Sequence, residues 1–373
     1  METPDILVVA DDLTSAADGV APFGARGLPA QIRLGTAALS SVDAQVVGID
    51  IGTRRMAPGP ASDAVKEAMT SSSATTIVKT IDSALRGNVA TEIAAAQEAT
   101  GRPLTIVAPA FPAEGRTTVG GVQQVNGIPV ALTAFGSDRT HPVRESRLSQ
   151  LLAGSYSAPD DLDTATGIVI ADASTDQDLD DLVARVHDFS RVLWVGSPGL
   201  CSALARRNAA SLPDGQMQGG PVLVVVGSEH PASAAQLTHV NAIATAIDLA
   251  GVPVSAARGA VLEGLRAGGI VTLTDTSSEQ SADQVRNRIS SVAGVSSRVT
   301  GRVGLIATGG DTARSVLDAC GITALTVRSE PAPGVVAGTD TADPRRTVVI
   351  KAGSFGGPNL LKDLARGLHA GSW

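Results

Sequence analysis

The chain has 373 residues and a formal net charge of −8, from 29 basic and 37 acidic side chains. Its length predicts two domains, and 43% hydrophobic residues are enough for a sizeable core. The acidic balance, with only five Phe, two Trp and one Tyr, argues against a nucleic-acid binder, which needs a basic surface or aromatic stacking platforms. An acidic small molecule stays possible as a ligand, because local arginines and lysines decide its binding.

The two cysteines and the N-terminus predict an intracellular location. Cys201 and Cys320 are too few and too far apart for a C-x-x-C motif or a disulfide framework. The first ten residues lack the basic segment of a signal peptide, and aliphatic runs such as 222–226 are too short to span a membrane. We therefore expect a soluble protein of the reducing cytoplasm.

Short runs rich in β-branched residues alternate with helix-like stretches along the chain. The runs are continuously apolar, which is typical of strands buried on both faces of a parallel sheet. This alternation predicts the α/β class, with two α/β domains built on mainly parallel sheets. The predicted strands are Ile6–Ala10, Gln45–Ile49, Thr76–Ile81, Leu104–Ala108, Ile168–Ala171, Val192–Val195, Pro221–Val226, Ile270–Leu273, Val303–Ala307, Thr323–Val327 and Thr347–Ile350. The predicted helices are Ser15–Ala25 with a Ser15-x-x-Asp18 capping signal, Asn88–Thr100, Asp176–Asp188, Pro198–Arg207, Pro231–Ile243, Asp311–Ala319 and Pro358–Leu368.

Two irregular segments interrupt this pattern. A polar, glycine-rich stretch precedes the strongest strand and predicts domains at 1–212 and 220–373, joined by a linker at 213–219. At about 112–142 regular periodicity is absent, and Asn126-Gly127 stands between apolar residues, which is a strong hairpin signal. We expect a β-excursion there, which serves either as a lid or as a dimer arm.

Polar residues follow the first three predicted strands, and ligands of open α/β sheets bind at the carboxyl ends of strands. Asp11 and Asp12 follow the first strand; one can cap the next helix, and the other can accept a proton from a substrate hydroxyl or hold Mg²⁺. Lys79 is one of only four lysines, and its alternative interpretation is a surface lysine with a buried stem. The second strand adds the pair Arg54-Arg55. A polyhydroxy-acid site is predicted after the third strand, with cations for the carboxylate and Asp or Ser for the hydroxyls; its residues would be Lys79, Asp82, Ser83 and Arg86.

Three glycine-bearing loops follow three strands of the second predicted domain. They span 226–230, 307–312 and 351–357. Glycine lets backbone N–H groups approach an anion, and the helix that follows each loop adds partial positive charge. These loops predict a nucleotide phosphate site, but they contain neither a Walker A motif nor G-x-G-x-x-G.

Other candidate residues carry weaker signals. The five histidines show no metal-ligand spacing; His230 lies in a phosphate-loop candidate, and we expect structural or surface roles for the others, including His141. Ser197 departs from the G-x-S-x-G pattern and is interpreted as a helix cap rather than a nucleophile. Phe355 is the one plausible ring contact for adenine in the second domain.

In combination and order, these motifs resemble the four-carbon acid sugar kinase family over nearly the whole chain. The resemblance implies an ATP-dependent enzyme that phosphorylates a terminal hydroxyl of a small acid such as threonate, erythronate or 3-oxo-tetronate. It also implies that the N-terminal domain binds the acid and the C-terminal domain binds Mg²⁺-ATP, with the ligand cleft between them. The motifs are Ala10-Asp-Asp-Leu-Thr14, Lys79-Thr-Ile-Asp-Ser83 with Arg86-Gly87, Pro109-Ala-Phe-Pro112, Gly115-Arg-Thr-Thr-Val-Gly-Gly121, Val125-Asn-Gly127, Gly227-Ser228, Thr308-Gly-Gly-Asp-Thr-Ala313 and Lys351-Ala-Gly-Ser-Phe-Gly356.

Matched motif by motif, the resemblance implies roles for individual residues. The catalytic carboxylate would be Asp12 or Asp311, with neither preferred, and no metal ligands are assigned. The chain departs from the family pattern at Ser15, Ala84 and Glu229-His230. The acid would contact Asp11, Asp12, Arg55, Lys79, Thr80, Ile81, Asp82, Ser83 and Arg86. ATP would contact Ser228, Gly309, Gly310, Asp311, Thr312, Gly353, Ser354 and Gly356.

Two other functional classes stay open. A non-catalytic sensor of sugar acids or nucleotides would keep the loops and lose turnover. An NAD-dependent oxidoreductase would need a glycine-rich turn after the first strand, where this chain has two aspartates. We expect no nucleic-acid or membrane partner, and a homodimer is an open alternative to a monomer.

Overall fold

The computed structural model describes residues 4–36, 43–138, 141–152, 161–208, 219–228, 230–277 and 279–372. The chain divides into two compact units, Met1–Leu212 and Pro213–Trp373. Apart from Gly219, the predicted linker at 213–219 lies outside the described residues, as does Glu229.

A parallel sheet of seven strands, counted among the described residues, forms the centre of the first unit. Its order is β2-β3-β1-β4-β10-β5-β9, and β1, β3, β5 and β10 are buried along their whole length. These runs are the continuously apolar ones, so burial on both faces explains the pattern. The strands of this unit are β1 (Ile6–Ala10), β2 (Ala30–Leu34), β3 (Val46–Asp50), β4 (Thr76–Thr80), β5 (Leu104–Ala108), β6 (Arg116–Val119), β7 (Val122–Val125), β8 (Ile128–Pro129), β9 (Gly167–Ile170) and β10 (Val192–Gly196).

Helix α1 packs on this sheet through two glycines. A Cβ on Gly19 would lie 2.8 Å from Val8 Cγ1, and one on Gly48 would lie 2.4 Å from Val20 Cγ2. Neither position has room for a larger residue, so glycine permits this close packing. The helices of the first unit are α1 (Leu13–Gly24), α2 (Pro58–Thr70), α3 (Val89–Thr100), α4 (Leu148–Leu152), α5 (Asp176–Ala184) and α6 (Pro198–Arg206).

Two predicted helix caps need correction. Helix α1 begins at Leu13, and its cap is Asp12, whose carboxylate accepts the backbone N–H of Ser15 at 2.7 Å. The predicted Ser15-x-x-Asp18 cap is therefore wrong, because Ser15 is already inside the helix. Ser197 does precede α6, but its hydroxyl donates to the carbonyl of Ala110 at 2.9 Å and caps nothing.

Strands β6 to β8 form a small antiparallel sheet within the predicted β-excursion at about 112–142. Below, the β-excursion means the described residues of that range, 112–138 and 141–142. Its Asn126-Gly127 turn has φ values of 50° and 79°, the left-handed conformation that this pair adopts readily. The buried Gln123 amide donates to the carbonyl oxygens of Ser83 at 2.7 Å and Pro109 at 3.3 Å. The carboxylate of Asp172 accepts two more N–H groups, from Gly120 and Gly121. The base of the β-excursion is thus fixed to loops of the parallel sheet.

The second unit is also an α/β layer structure. Its sheet runs β12-β13-β11-β14-β17-β16-β15, in which the first five strands are parallel and β16 is antiparallel to both neighbours. The predicted α/β class with mainly parallel sheets is therefore confirmed. The strands are β11 (Val222–Val226), β12 (Thr245–Asp248), β13 (Ile270–Thr274), β14 (Val303–Thr308), β15 (Ala324–Ala332), β16 (Val335–Asp340) and β17 (Arg346–Lys351), and the helices are α7 (Pro231–Asn241), α8 (Val254–Arg266), α9 (Ala282–Ala293), α10 (Gly310–Ala319) and α11 (Leu360–Ala370). Across the described ranges, every helix is too short or too polar to cross a bilayer.

Candidate functional site

A charged cluster lies at the carboxyl ends of β3, β1 and β4, which are neighbours in the sheet. We call Asp11, Asp12, Arg54, Asp82 and Arg86 the Arg54 cluster. The Arg54 side chain is 12% exposed, and its guanidinium binds Asp11 in bidentate fashion at 2.7 and 2.9 Å. Its Nη1 donates to Asp12, and its Nη2 lies 3.8 Å from an oxygen of Asp82. One cation therefore holds three carboxylates in place.

Asp12 uses both of its carboxylate oxygens within the cluster. One oxygen accepts from the Thr14 hydroxyl at 2.9 Å and from the Ser15 N–H, and the other accepts from Arg54. Burial raises the pKa of Asp12, although Arg54 opposes that effect. For Arg54, burial alone would lower the pKa, but Asp11, Asp12 and Asp82 together raise it well above its ordinary value. Asp12 is thus both the cap of α1 and an anchor for Arg54.

Asp82 is the second anchor of the cluster. Arg86 donates to it at 2.7 and 3.2 Å, and the Ala84 N–H donates at 2.9 Å. Burial alone would raise the pKa of Asp82, but Arg86 and Arg54 hold it well below its usual range. The carboxylate is therefore ionised at neutral pH and acts as an acceptor only.

The arginine that enters the cluster is Arg54, whereas the motif match selected Arg55. Arg55 is exposed and occupies the last position of a short 3₁₀ turn, Thr53–Arg55. The residue types alone indicated the pair, and the motif match named Arg55, which is not the member that contacts the three carboxylates. The direction of each side chain depends on that single turn, which has no sequence signature of its own.

Lys79 lies inside the protein. Its side chain is fully buried, its Nζ is 2.7 Å from Glu92 Oε2, and it donates to the carbonyl of Thr80 at 2.7 Å. The surface-lysine alternative is therefore wrong. Glu92, in the first turn of α3, was missed; its one signal is an acid in a helix that is otherwise rich in apolar residues. Thr80 and Ile81 are also buried, and Ser83 is half-buried on the same loop.

The β-excursion brings further groups to the Arg54 cluster. Two guanidinium groups, of Arg86 and Arg116, lie over the Phe135 ring, each 5.3 Å from the ring centroid. Burial lowers the pKa of His141, and the nearby charges of Arg54, Arg55 and Arg86 lower it further. The Nε2 atom of His141 is buried without a hydrogen-bond partner. Sequence reasoning gave His141 no ligand role, because its distance along the chain from the cluster hides this proximity.

In the second unit the three glycine loops lie against one another. A Cβ on Gly227 would lie 2.3 Å from Thr312 Oγ1, and a Cβ on Gly353 would lie 2.3 Å from Ser228 Oγ. Gly309 has φ +85°, and a Cβ there would lie 3.5 Å from Ser228 Cβ. The structure thus brings the residues predicted for ATP together around Ser228.

Two side chains of α7 hold the third loop in place. Ser233 donates to the Gly353 carbonyl at 2.7 Å, and Gln236 Nε2 donates to the carbonyls of Gly356 and two neighbouring residues at 2.9 to 3.1 Å. Ser354 is half-buried in this loop. Phe355 is only 8% exposed because its ring packs over Gly334, so little of it remains for an adenine.

Asp311 differs from Asp12 in its surroundings. It lies with Gly310 in the first turn of α10, its side chain is 45% exposed, and its carboxylate is 4.0 Å from Arg286 Nη1.

His230 caps α7, since its Nδ1 accepts the N–H of Ala232 at 3.2 Å. Within the part of the chain that the structure describes, no group of three or more His, Cys, Asp or Glu side chains could hold a metal ion.

Comparison with known families accounts for both units. Residues 6–204 match the sugar-binding N-terminal domain, and residues 223–361 match the nucleotide-binding C-terminal domain. The fold and these two matches define a class of protein that combines a sugar-binding unit with a nucleotide-binding unit.

Curated relatives show which family within this class the chain belongs to. Three proteins named D-threonate kinase match, from Cupriavidus necator (35% identical, 94% of both chains), Salmonella typhimurium (31%, 96% of this chain and 97% of the relative) and Bordetella bronchiseptica (33%, 99% and 98%). The chain belongs to the four-carbon acid sugar kinase family, as its motifs predicted.

Solved structures share the fold. The Haemophilus influenzae protein HI1011 superposes with a TM-score of 0.75 at 19% identity, covering 97% of this chain and 100% of that one. A Bordetella bronchiseptica protein, described as a domain-swapped dimer with bound citrate, matches at 28% identity and a TM-score of 0.51 over 99% of each chain.

Proposed function

We propose that this chain phosphorylates D-threonate and uses Mg²⁺-ATP as the phosphoryl donor. The observation that carries the proposal is the match to three D-threonate kinases at 31–35% identity over at least 94% of this chain. The other acids that the motifs imply, erythronate and 3-oxo-tetronate, differ in one stereocentre or one carbonyl. They are the first compounds against which selectivity should be measured.

The Arg54 cluster offers what a polyhydroxy acid needs. Asp11, Asp12 and Asp82 are carboxylates fixed by hydrogen bonds, and their oxygens can accept from substrate hydroxyls. Arg86 is 31% exposed and presents a guanidinium that can bind the substrate carboxylate. The buried Arg54 keeps the carboxylates apart and oriented, so the site is organised before the acid arrives.

The glycine loops around Ser228 suit a triphosphate, because close backbone approach and helix N-termini favour anions. In the transfer step the substrate hydroxyl oxygen forms a bond to the γ-phosphorus, the bond from that phosphorus to the bridging oxygen of ADP breaks, and the hydroxyl proton goes to a carboxylate. We assign that proton to Asp311. Asp311 lies in the first turn of α10, beside the glycine loops that we assign to the triphosphate, and its side chain is 45% exposed.

Mg²⁺ would neutralise charge on the ATP phosphates. Kinase Mg²⁺ sites commonly need only one or two protein carboxylates in addition to phosphates and water. We assign no protein ligands to the ion.

Two further properties belong to the same proposal. We expect a homodimer, because a relative is described as a domain-swapped dimer; light scattering on the purified chain tests this.

We expect residence in the reducing cytoplasm, which fits the free thiols of Cys201 and Cys320, both buried. Fractionation of cells that express the chain tests the location.

The deciding experiment follows ADP release with purified protein and Mg²⁺. D-threonate is compared with L-threonate, D-erythronate and 3-oxo-tetronate, and ³¹P NMR identifies the phosphorylated position. We expect the highest kcat/KM for D-threonate and no product without ATP. A chain that phosphorylates none of these acids would overturn the proposal, and a preference for another acid would overturn its substrate assignment.

A further inference from the structure

A cavity of about 850 Å³ opens in the second unit beyond the carboxyl ends of β12 and β13. Its size is within the range of about 300–1,000 Å³ that is usual for small-molecule sites. The loop after β12, the loop after β13 and one face of α9 form its walls. The lining residues used below are Ala250, Ser277, Gln280, Gln284, Asn287 and Arg288.

Hydrogen bonds fix the walls of this cavity. The Asp248 carboxylate accepts from Thr276 through its backbone N–H at 3.0 Å and its hydroxyl at 2.5 Å, and also from the Ala250 N–H at 3.0 Å. It therefore ties the two loops together. Pre-formed walls are usual for small-molecule sites.

Arg288 forms the inner corner of the cavity. Its Nη1 lies 2.9 Å from the fully buried Asp275 carboxylate and donates to the Ser277 hydroxyl at 3.0 Å, while its Nη2 donates to the carbonyl of Leu249 at 2.6 Å. The guanidinium is thus held rigidly, and a ligand would find a fixed polar surface there instead of a mobile side chain.

Amide groups complete the lining. Gln280, Gln284 and Asn287 border the space, and the Gln280 Oε1 atom is buried without a hydrogen-bond partner. A buried acceptor without a partner costs free energy, which a donor on a ligand would recover. The amino group of adenine and the ribose hydroxyls are donors of this kind, and amide side chains can both donate to and accept from a nucleobase edge.

The cavity lies beside the glycine loops that we assign to the triphosphate. Strand β13 pairs with β11 in parallel, and the Thr274 hydroxyl donates to the Val226 carbonyl at 3.0 Å. The chain therefore leaves β13 at Asp275 next to the point where it leaves β11 at Gly227, and adjacent strands are about 4.8 Å apart. On the other side of the loops, the Phe355 ring fills the space above Gly334.

We propose that this cavity binds the nucleoside part of ATP, with Gln280 and Asn287 as contacts to the base or ribose. The proposal rests on the proposed use of ATP and adds the position of the nucleoside to it. The triphosphate would extend from the cavity along the loop that begins at Gly227. Nucleoside binding here would be a source of affinity separate from the phosphates.

The test fills the cavity without touching the glycine loops. Asn287→Trp places a large ring in the space, and Ala282→Trp is the matched control because Ala282 is exposed on the same helix and does not line the cavity. Calorimetry on the full chain measures the Kd of ATP and of inorganic tripolyphosphate, which lacks the nucleoside. We expect Asn287→Trp to weaken ATP at least about tenfold and leave tripolyphosphate within about twofold, with Ala282→Trp unchanged for both ligands.

Kinetics give a second readout. The nucleoside is bound equally in the ground state and the transition state, because it takes no part in the transfer. Losing its binding should therefore raise the KM for ATP and leave kcat unchanged. Asn287→Trp with wild-type affinity for ATP, or with equal losses for both ligands, would overturn the proposal. If Asn287→Trp fails to fold, Gln280→Ala is judged by the same two ligands.

The wild-type chain separates the two levels of inference. Equal affinity for ATP and tripolyphosphate would overturn the nucleoside site and leave the kinase proposal standing. No ATP binding at all would overturn both.

Discussion

The candidate sites of the two units consist of different kinds of residue. The first uses long charged side chains, with Arg54 contacting three carboxylates. The second uses glycines, at which even a Cβ would meet a neighbouring side chain at 2.3 Å. The acid site should therefore be sensitive to the removal of a group, and the nucleotide site to the addition of one.

The largest effect is expected from Arg54→Ala. Without the cation, Asp11, Asp12 and Asp82 are left close together and partly buried, which should cost about 3–5 kcal/mol of unfolding free energy and abolish turnover. Urea unfolding and kcat/KM measure the two effects. The matched control is Arg55→Ala, which should stay within about 0.5 kcal/mol of wild type because Arg55 is exposed. Equal stabilities for the two variants would show that Arg54 does not hold the cluster.

Substitution should distinguish the two candidate catalytic carboxylates, because one variant should lose activity and the other stability. Asp311→Asn should lower kcat by roughly 10²–10⁴-fold and leave stability nearly unchanged, because its side chain is 45% exposed. Asp12→Asn should lose about 1 kcal/mol or more of stability, since Asp12 caps α1 and binds Arg54. Stopped-flow kinetics and thermal unfolding on both variants check this. If Asp311→Asn keeps the wild-type kcat, Asp311 is not the base and the assignment passes to Asp12.

A smaller effect is expected from adding one methyl group to the nucleotide loops. Gly353→Ala would place its Cβ 2.3 Å from Ser228 Oγ, and such overpacking typically costs about 1–3 kcal/mol. We expect a higher KM for ATP and an unchanged KM for the acid. Gly357→Ala is the control, since no atom lies within 4 Å of a Cβ there. Because Ser228 is itself a proposed ATP contact, the steric explanation is tested by urea unfolding: adding Ser228→Ala removes the Oγ contact and should recover part of the stability that Gly353→Ala loses, although the Cβ of residue 228 stays 2.9 Å away. No recovery of stability would contradict the steric explanation.

The smallest expected effect concerns acid stability. Because Asp82 has a pKa held below its ordinary value of 3.8 by Arg86 and Arg54, its contribution is fully present above about pH 4 and is lost as the pH falls further. In Arg86→Ala this dependence should weaken, by an amount of order 1 kcal/mol between pH 5 and pH 3. Urea midpoints at several pH values measure it. Parallel pH profiles for wild type and Arg86→Ala would contradict the assignment.

The parallel strands could be predicted because burial on both faces leaves a continuous apolar run, as in β1 and β5. Two strands at or near the sheet edges lack a continuous apolar run and were missed: β12 is largely exposed, and β2 contains Gln31 and Arg33. Helix α2 was missed because it begins with Pro58-Gly-Pro60, which is typical of a loop.

The site was predictable where its residues directly follow strands. Asp11, Asp12 and Asp82 could be named for that reason. The contacts between them could not, because one turn decides between Arg54 and Arg55. Glu92 and His141 were missed, since nothing in the chain between them and the cluster indicates that they lie nearby.

The hydrogen bonds of Gln123 restrict the substitutions that this position can accept. Its amide nitrogen binds the carbonyls of Ser83 and Pro109, while its oxygen accepts from the Thr118 hydroxyl. Glutamate has nearly the same shape but would set a carboxylate against two carbonyl oxygens, and leucine would leave three groups unpaired. Sequence drift at this position is thus restricted to a residue that donates and accepts together. Any residue at positions 83 and 109 supplies these main-chain carbonyls, so the restriction falls on Gln123 and not on Ser83, 40 residues earlier in the chain.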